Sequence, residues 1–182
     1  MRTDIVLTLT GPDRVGIVEE VTRVLLGMDG NVGTSRMARL GGEFSIIMLA
    51  AVPGEAGTLV ARVEDAFGGL TAAGYRLTVS ATSAPVAHIA TDSYRIVVRG
   101  ADHEGIVHEI ARGLSERGIN IESAETSTVQ APVTGSPLFV MTAIVAVPRD
   151  MPEQVWVDDL GRAADAAGVD LEVSLDECGS GG

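Results

Sequence analysis

The sequence predicts an α+β fold made of two tandem βαββαβ units, each an antiparallel sheet with both helices on one face, the ferredoxin-like arrangement. Three observations predict it. The chain repeats itself, "TGPDRVGIVEE" at residues 10–20 returning as "RGADHEGIVHE" at 99–109. Each copy opens on a period-two apolar stretch and passes into one with helical period. Each then continues through two extended stretches, a second helical stretch and a closing strand.

The repeat sets the domain count. Gly11, Asp13, Gly16-Ile17-Val18, Glu20 and Asn31 return at a constant offset of 89 residues, as Gly100, Asp102, Gly105-Ile106-Val107, Glu109 and Asn120. Phe44 and Val52-Pro53 return at an offset of 95, so the second copy carries six extra residues, within "STVQAPVTGSPL". Pro and Gly there mark a hairpin loop. A period near 90 is domain-sized rather than solenoid-sized. The domains are placed at 1–81 and 92–176, with a small, polar, Pro-containing linker at 82–91 and a disordered tail, ending "CGSGG", at 177–182.

The elements follow in order. Ile5, Leu7 and Leu9 alternate as the buried face of a first strand, as do Ile96 and Val98. Ile17, Val21, Val24, Leu25 and Met28 stand at helical spacing, matched by Ile106, Ile110 and Leu114. "GNVGTSRMARL" and "GEFSIIMLAAV" read as strands joined at Gly41-Gly42, and "INIESAETSTV" with "LFVMTAIVAV" repeats them. Leu59, Val63, Ala66, Phe67 and Leu70 mark one helix ending near Gly74, and Trp156, Leu160, Ala163, Ala164 and Ala167 one ending near Gly168. Val169, Leu171, Val173 and Leu175 alternate with polar residues in the last strand. Ile47 and Leu49 point outward, so sheet edges or helices are expected to pair between copies or chains, with a homodimer as the expected assembly.

Composition excludes several classes. The 182 residues are 46% apolar and 21% charged, with a net charge of −12 and arginine as the only basic residue type besides histidine. No basic run offers itself to phosphates, which argues against direct nucleic-acid binding. No apolar run reaches membrane-spanning length and no signal peptide is legible, so a cytoplasmic location is expected. The single cysteine, Cys178, leaves no internal disulfide.

With these residues in view, the βαββαβ units whose first strand runs into "GPDRVGIV" and then "GNV" or "GIN" resemble ACT domains, small regulatory modules that bind amino acids. Two such units with no enzyme domain resemble the glycine cleavage system transcriptional repressor family. The resemblance implies a small amino acid ligand, glycine or serine, held where the first loop meets a neighbouring ACT unit. It also implies a protein partner such as a transcription activator.

The residues support a physical version of that site. Gly16 and Gly105 open helices, whose free N–H groups favour a carboxylate. Asp13 or Asp102 and the carbonyl of Asn31 or Asn120 are candidate acceptors for an ammonium, with Arg14 or His103 as a further donor. Val15 and Ile17, with Glu104 and Ile106, complete the ligand-binding set. Other roles stand beside these. Asp13 and Asp102 suit helix N-caps, Gly16 and Gly105 suit close helix packing, and Asn31 and Asn120 suit turns with left-handed backbone. The corners differ, Pro12, Arg14 and Val15 becoming Ala101, His103 and Glu104, so one corner alone is a possible binder.

Catalysis has little support. His103 and His108 flank Glu104 and Glu109, the makings of a metal or acid/base site, yet such groups more often decorate a solvated helix face. His88 reads as linker surface. No nucleophile elbow, phosphate loop or zinc motif is present. The expectation is a non-enzymatic protein without cofactor or metal; the alternative function is a structural module that dimerises through its sheets without a metabolite.

Overall fold

The computed structural model describes residues 1–82, 90–130 and 136–176. The chain divides into two compact units, Met1–Val86 and Ala87–Gly182. Most of the expected linker at 82–91, including His88, lies outside the described residues, as do the tail with Cys178 and residues 131–135 of the insertion. No helix among the described residues is long and apolar enough to cross a membrane.

In the first unit β1 (Arg2–Pro12) leads to α1 (Ile17–Gly27), then to the hairpin of β2 (Asn31–Leu40) and β3 (Glu43–Pro53). α2 (Ala56–Ala66), α3 (Gly68–Ala72) and β4 (Arg76–Ala81) complete it. The second unit repeats the plan with β5 (Thr91–Ala101), α4 (Ile106–Ser115), β6 (Asn120–Gln130), β7 (Pro137–Pro148), α5 (Glu153–Ala166) and β8 (Val169–Leu175). The sheets are antiparallel, in the orders β2-β3-β1-β4 and β6-β7-β5-β8. Both units are therefore the predicted βαββαβ fold.

Strand alternation decides which face is covered. Ile5, Leu7 and Leu9 on β1 and Ile46, Met48 and Ala50 on β3 are buried against Ile17, Val21 and Leu25 of α1 and Leu59 and Val63 of α2. In the second unit Ile96, Val98, Met141 and Val145 meet Ile110, Leu114, Trp156 and Leu160. The outward residues of β3 alternate with these, leaving Ile47 50% and Leu49 37% exposed. The hairpin turn falls at Gly41 and Gly42, both with positive φ (60° and 88°), the backbone a tight two-residue β-turn needs.

One element differs from the sequence expectation. The helix expected to run unbroken through Leu70 ends at Phe67, whose backbone (φ −85°, ψ 4°) leaves the helical ladder, and α3 resumes at Gly68-Gly69. The two glycines weaken propagation, while Phe67 and Leu70 stay buried in the core and hold both pieces down.

Candidate functional site

The repeated motif forms the corner between the first strand and first helix of each unit. Gly16 stands at the N-cap of α1 with φ 90°, and Gly105 at that of α4 with φ 96°. A Cβ at either would meet nothing within 4 Å, so these glycines are needed for left-handed backbone and the close-packing expectation is overturned. The close approach belongs to other glycines of the motif. A Cβ on Gly11 would lie 2.6 Å from the Tyr75 ring, and one on Gly100 2.6 Å from Val169.

The repeated aspartates do not cap. Neither helix has a side-chain cap, because the left-handed glycine intervenes between aspartate and helix. Asp13 instead pairs with Arg39 on β2 at 2.7 Å, and its backbone N–H donates to the Gly42 carbonyl at 2.9 Å. Asp102 accepts from the Thr128 hydroxyl on β6 at 3.2 Å and donates its N–H to Pro137 at 3.3 Å. Arg39 and Thr128 occupy one position of the repeat, facing Phe44 and Phe139 on the neighbouring strands. In each unit the aspartate ties the corner to the outermost strand.

The remaining contacts differ between the corners. In the first, the Arg14 guanidinium pairs with Glu20 and lies 5.7 Å over the Tyr75 ring, whose hydroxyl donates to the Pro12 carbonyl at 2.6 Å. Val15 is fully exposed at the tip. In the second, His103 places Nδ1 2.9 Å from the Glu104 carbonyl and Nε2 2.7 Å from that of Ala167. A carbonyl only accepts, so both bonds require a ring protonated at both nitrogens. The carbonyls of Glu104 and Ala167, aided by Asp102, raise its pKa above the ordinary histidine value against a smaller opposing desolvation.

Ile17 and Ile106 are core residues, 3% and 2% exposed, so only their backbone faces the corner. The first intrahelical bonds run from Glu20 N–H to Gly16 and from Glu109 N–H to Gly105, both at 3.0 Å. The amides of Val18 and Glu19, like those of Val107 and His108, precede them and have no helical acceptor. Glu104 is exposed beside its helix start.

The asparagines are elsewhere. Asn31 and Asn120 are the first residues of β2 and β6, not turn residues; the left-handed positions nearby belong to Asp29 (φ 55°) and Gly118 (φ 67°). Asn31 faces Ala51 while the Asp13 corner sits beside Gly42 and Glu43, and eight residues of β3 separate Ala51 from Glu43. That is about 27 Å at strand rise, so one unit cannot bring Asp13 and Asn31 to the same small ligand. Asn31 lines a separate cleft with Arg2, Leu26, Asp29 and Gly30, and Asn120 one with Ala111, Ser115 and Gly118.

Around the second helix pair, Arg112 pairs with Glu109 at 2.6 Å and Glu116 at 2.8 Å, and the first of these holds the Glu109 carboxyl below its usual range. Among the described residues no group of three or more His, Cys, Asp or Glu is placed to hold a metal. Sequence reading missed Tyr75, Arg39 and Thr128. The pairing of Gly74-Tyr75 with Gly168-Val169 was the available signal for the first; the other two lie on strands with no motif.

Two family models described as ACT domain match, one over residues 3–71 and one over residues 94–155. A crystal structure of a protein of unknown function from Galdieria sulphuraria is 34% identical, covering 97% of this chain and 99% of its own, with a TM-score of 0.82. A proposed glycine cleavage system transcriptional repressor is 21% identical over 97% of this chain and 98% of its own, with a TM-score of 0.68, a likeness of fold. No curated protein matches the sequence. The chain belongs to the ACT domain family and consists of two ACT domains in tandem.

Proposed function

We propose that this tandem ACT protein is a non-catalytic sensor of a small amino acid, glycine or serine, that passes its ligand state to a protein partner such as a transcription activator of amino-acid metabolism. The observation carrying the reading is the twice-built corner, with unbonded amides at a helix start beside a glycine that admits close approach. A carboxylate suits those amides. Asp13 or Asp102 takes the ammonium, and Asn31 or Asn120 enters only from a neighbouring ACT unit, because its own unit holds it at the far end of the sheet. The fold of the proposed repressor gives the same direction. The ligand acts by favouring one arrangement of units, to the extent of its difference in affinity between arrangements.

Thermal-shift measurements on the purified chain against the twenty amino acids at millimolar concentration test the reading. A ligand at about 100 times its Kd stabilises by about 2.7 kcal/mol, so glycine, serine or a close relative should raise Tm by several degrees. No shift with any amino acid would overturn the sensor. One observation favours the second reading, a structural module dimerising through its sheets: Asp13, Arg14, Asp102 and His103 each already has a partner within its own unit.

A further inference from the structure

We infer that the free edge of β8, with the cleft beside it, takes an extended segment of a partner protein as an added antiparallel strand, one that alternates apolar and basic residues. The inference needs no amino-acid ligand, and its failure would leave the sensing reading untouched. β8 is last in its sheet, with β5 on one side and no strand on the other among the described residues. Just past its end the Asp176 N–H donates to the Ser93 carbonyl at 2.8 Å, continuing the register that sets Tyr94 opposite Leu175. Bonded and unbonded positions alternate along an antiparallel pair. Asp170, Glu172 and Ser174 therefore turn their backbone groups to β5, while the N–H and C=O of Val169, Leu171, Val173 and Leu175 point to the open side.

The side chains of those four residues lie on the face that α5 covers, Leu171 and Val173 standing opposite the core residues Val98 and Ile96. Between β8 and α5 is a cleft of about 610 Å³, lined by Val157, Ala164, Leu171 and Val173. Leu171 and Val173 are half-buried and Leu175 is 57% exposed, so the apolar stripe runs out to the edge uncovered. A strand added there places every second side chain against that stripe. The first unit is built differently at the same place. Phe67 stands at the repeat position of Ala164 and is fully buried, so a ring occupies the core where the second unit has a methyl group.

Charge selects the occupant. Asp158 and Asp165 on α5 and Asp170 on β8 rim the cleft, are exposed, and have no ion-pair partner among the described residues. Arg162, the cation on that rim, is held by Asp159. At the repeat positions of the three aspartates the first unit has Ala61, Gly68 and Arg76, so the acid rim and the small Ala164 belong to the second unit together. Two copies joined at β8 would set these acids against each other, and like charges disfavour cross-strand pairing. Charges on an edge strand defend it against such contacts; a basic strand is the one this edge admits. Its apolar residues enter the cleft, and its basic residues lie on the opposite face of the sheet beside Asp170, with Asp158 and Asp165 adding their charge across the cleft.

The test is fluorescence anisotropy of the full chain with a labelled heptapeptide, as long as β8, of alternating arginine and valine. It should bind. The peptide with glutamate for arginine, and one of the same composition in two blocks, should bind at least about tenfold more weakly. Asp158→Asn, Asp165→Asn and Asp170→Asn combined should weaken binding about tenfold and flatten its salt dependence. Ala164→Phe, the first unit's residue, should abolish it, with thermal melts checking that both variants fold. N-methylation of the peptide decides the matter without touching the protein. In an antiparallel addition the residues opposite Leu171 and Val173 are valines whose N–H groups face β8, so N-methylation at the valines should abolish binding and N-methylation at the arginines should not. No binding by the alternating peptide, equal binding by the glutamate peptide, binding that survives N-methylated valines, or unchanged binding by either folded variant would each overturn the inference.

Discussion

Asp13 Oδ2 lies 2.7 Å from Arg39 Nε, joining the strand-to-helix corner to the sheet edge. The repeated aspartate is thus kept for a tether across the unit, not for its own helix. Arg39 is 73% exposed, and exposed pairs contribute between 0 and about 1 kcal/mol. We expect Asp13→Asn to cost under about 1 kcal/mol in urea unfolding, and a double-mutant cycle with Arg39→Ala to return most of that as coupling. A lost helix cap predicts a similar cost with no coupling to Arg39, so the cycle separates the two.

The glycines of the motif fail for different reasons when substituted. Gly16→Ala and Gly105→Ala put a Cβ in open space but on left-handed backbone, costing about 1–2 kcal/mol. Gly11→Ala drives a Cβ into the Tyr75 ring and belongs with overpacking, about 1–3 kcal/mol. In a Tyr75→Ala background the cost of Gly11→Ala should largely vanish while that of Gly16→Ala persists. Equal persistence of both would mean that the ring is not what excludes a side chain at residue 11.

Tyr75 also holds its corner by a hydrogen bond that the second unit lacks. Its hydroxyl donates to the Pro12 carbonyl at 2.6 Å, and Val169 stands at its place in the repeat. Tyr75→Phe keeps the ring over Gly11 and beneath Arg14 and removes this bond together with the hydroxyl's interaction with Arg14, which should cost about 0.5–1.5 kcal/mol. Hydrogen exchange should rise at the amides of residues 13–17 while those of residues 102–106 stay unchanged. Uniform exchange across both corners would show that the hydroxyl has no local hold.

What the sequence made legible was whatever recurs at a fixed period. Alternation on β1 and β8, the helical stripes of α1 and α4 and the Gly41-Gly42 turn are local patterns, and the 89-residue repeat doubles each of them. The corner was legible as a place for the same reason. Its contacts were not, because Asp13 meets Arg39, Gly11 meets Tyr75 and His103 meets Ala167 across gaps of 26, 64 and 64 residues. Asn31 shows the limit from the other side. It repeats as faithfully as Asp13, yet repetition says nothing about distance, and one strand length of β3 separates the two. Phe67 broke a helix whose apolar spacing continued past it, since burial of Phe67 and Leu70 preserves the stripe while the backbone between them turns.

The pH dependence of the second corner follows from His103. Unfolded, the ring titrates near 6.5. Folded, the carbonyls of Glu104 and Ala167 favour the doubly protonated form, with Asp102 adding to them, and the pKa is raised. A raised folded pKa means that the ring's contribution to stability is complete below the unfolded value and is lost as pH climbs through the folded one. Deprotonation forces one ring nitrogen to present a lone pair to a carbonyl oxygen, so one of the two bonds, to Glu104 or to Ala167, fails. The stability difference between wild type and His103→Gln should therefore be larger at pH 6 than at pH 9. In ring proton spectra the His103 midpoint should lie above the ordinary histidine value. A stability difference flat across that window would mean that the ring sits neutral between the two carbonyls, and that the second corner has no proton to lose.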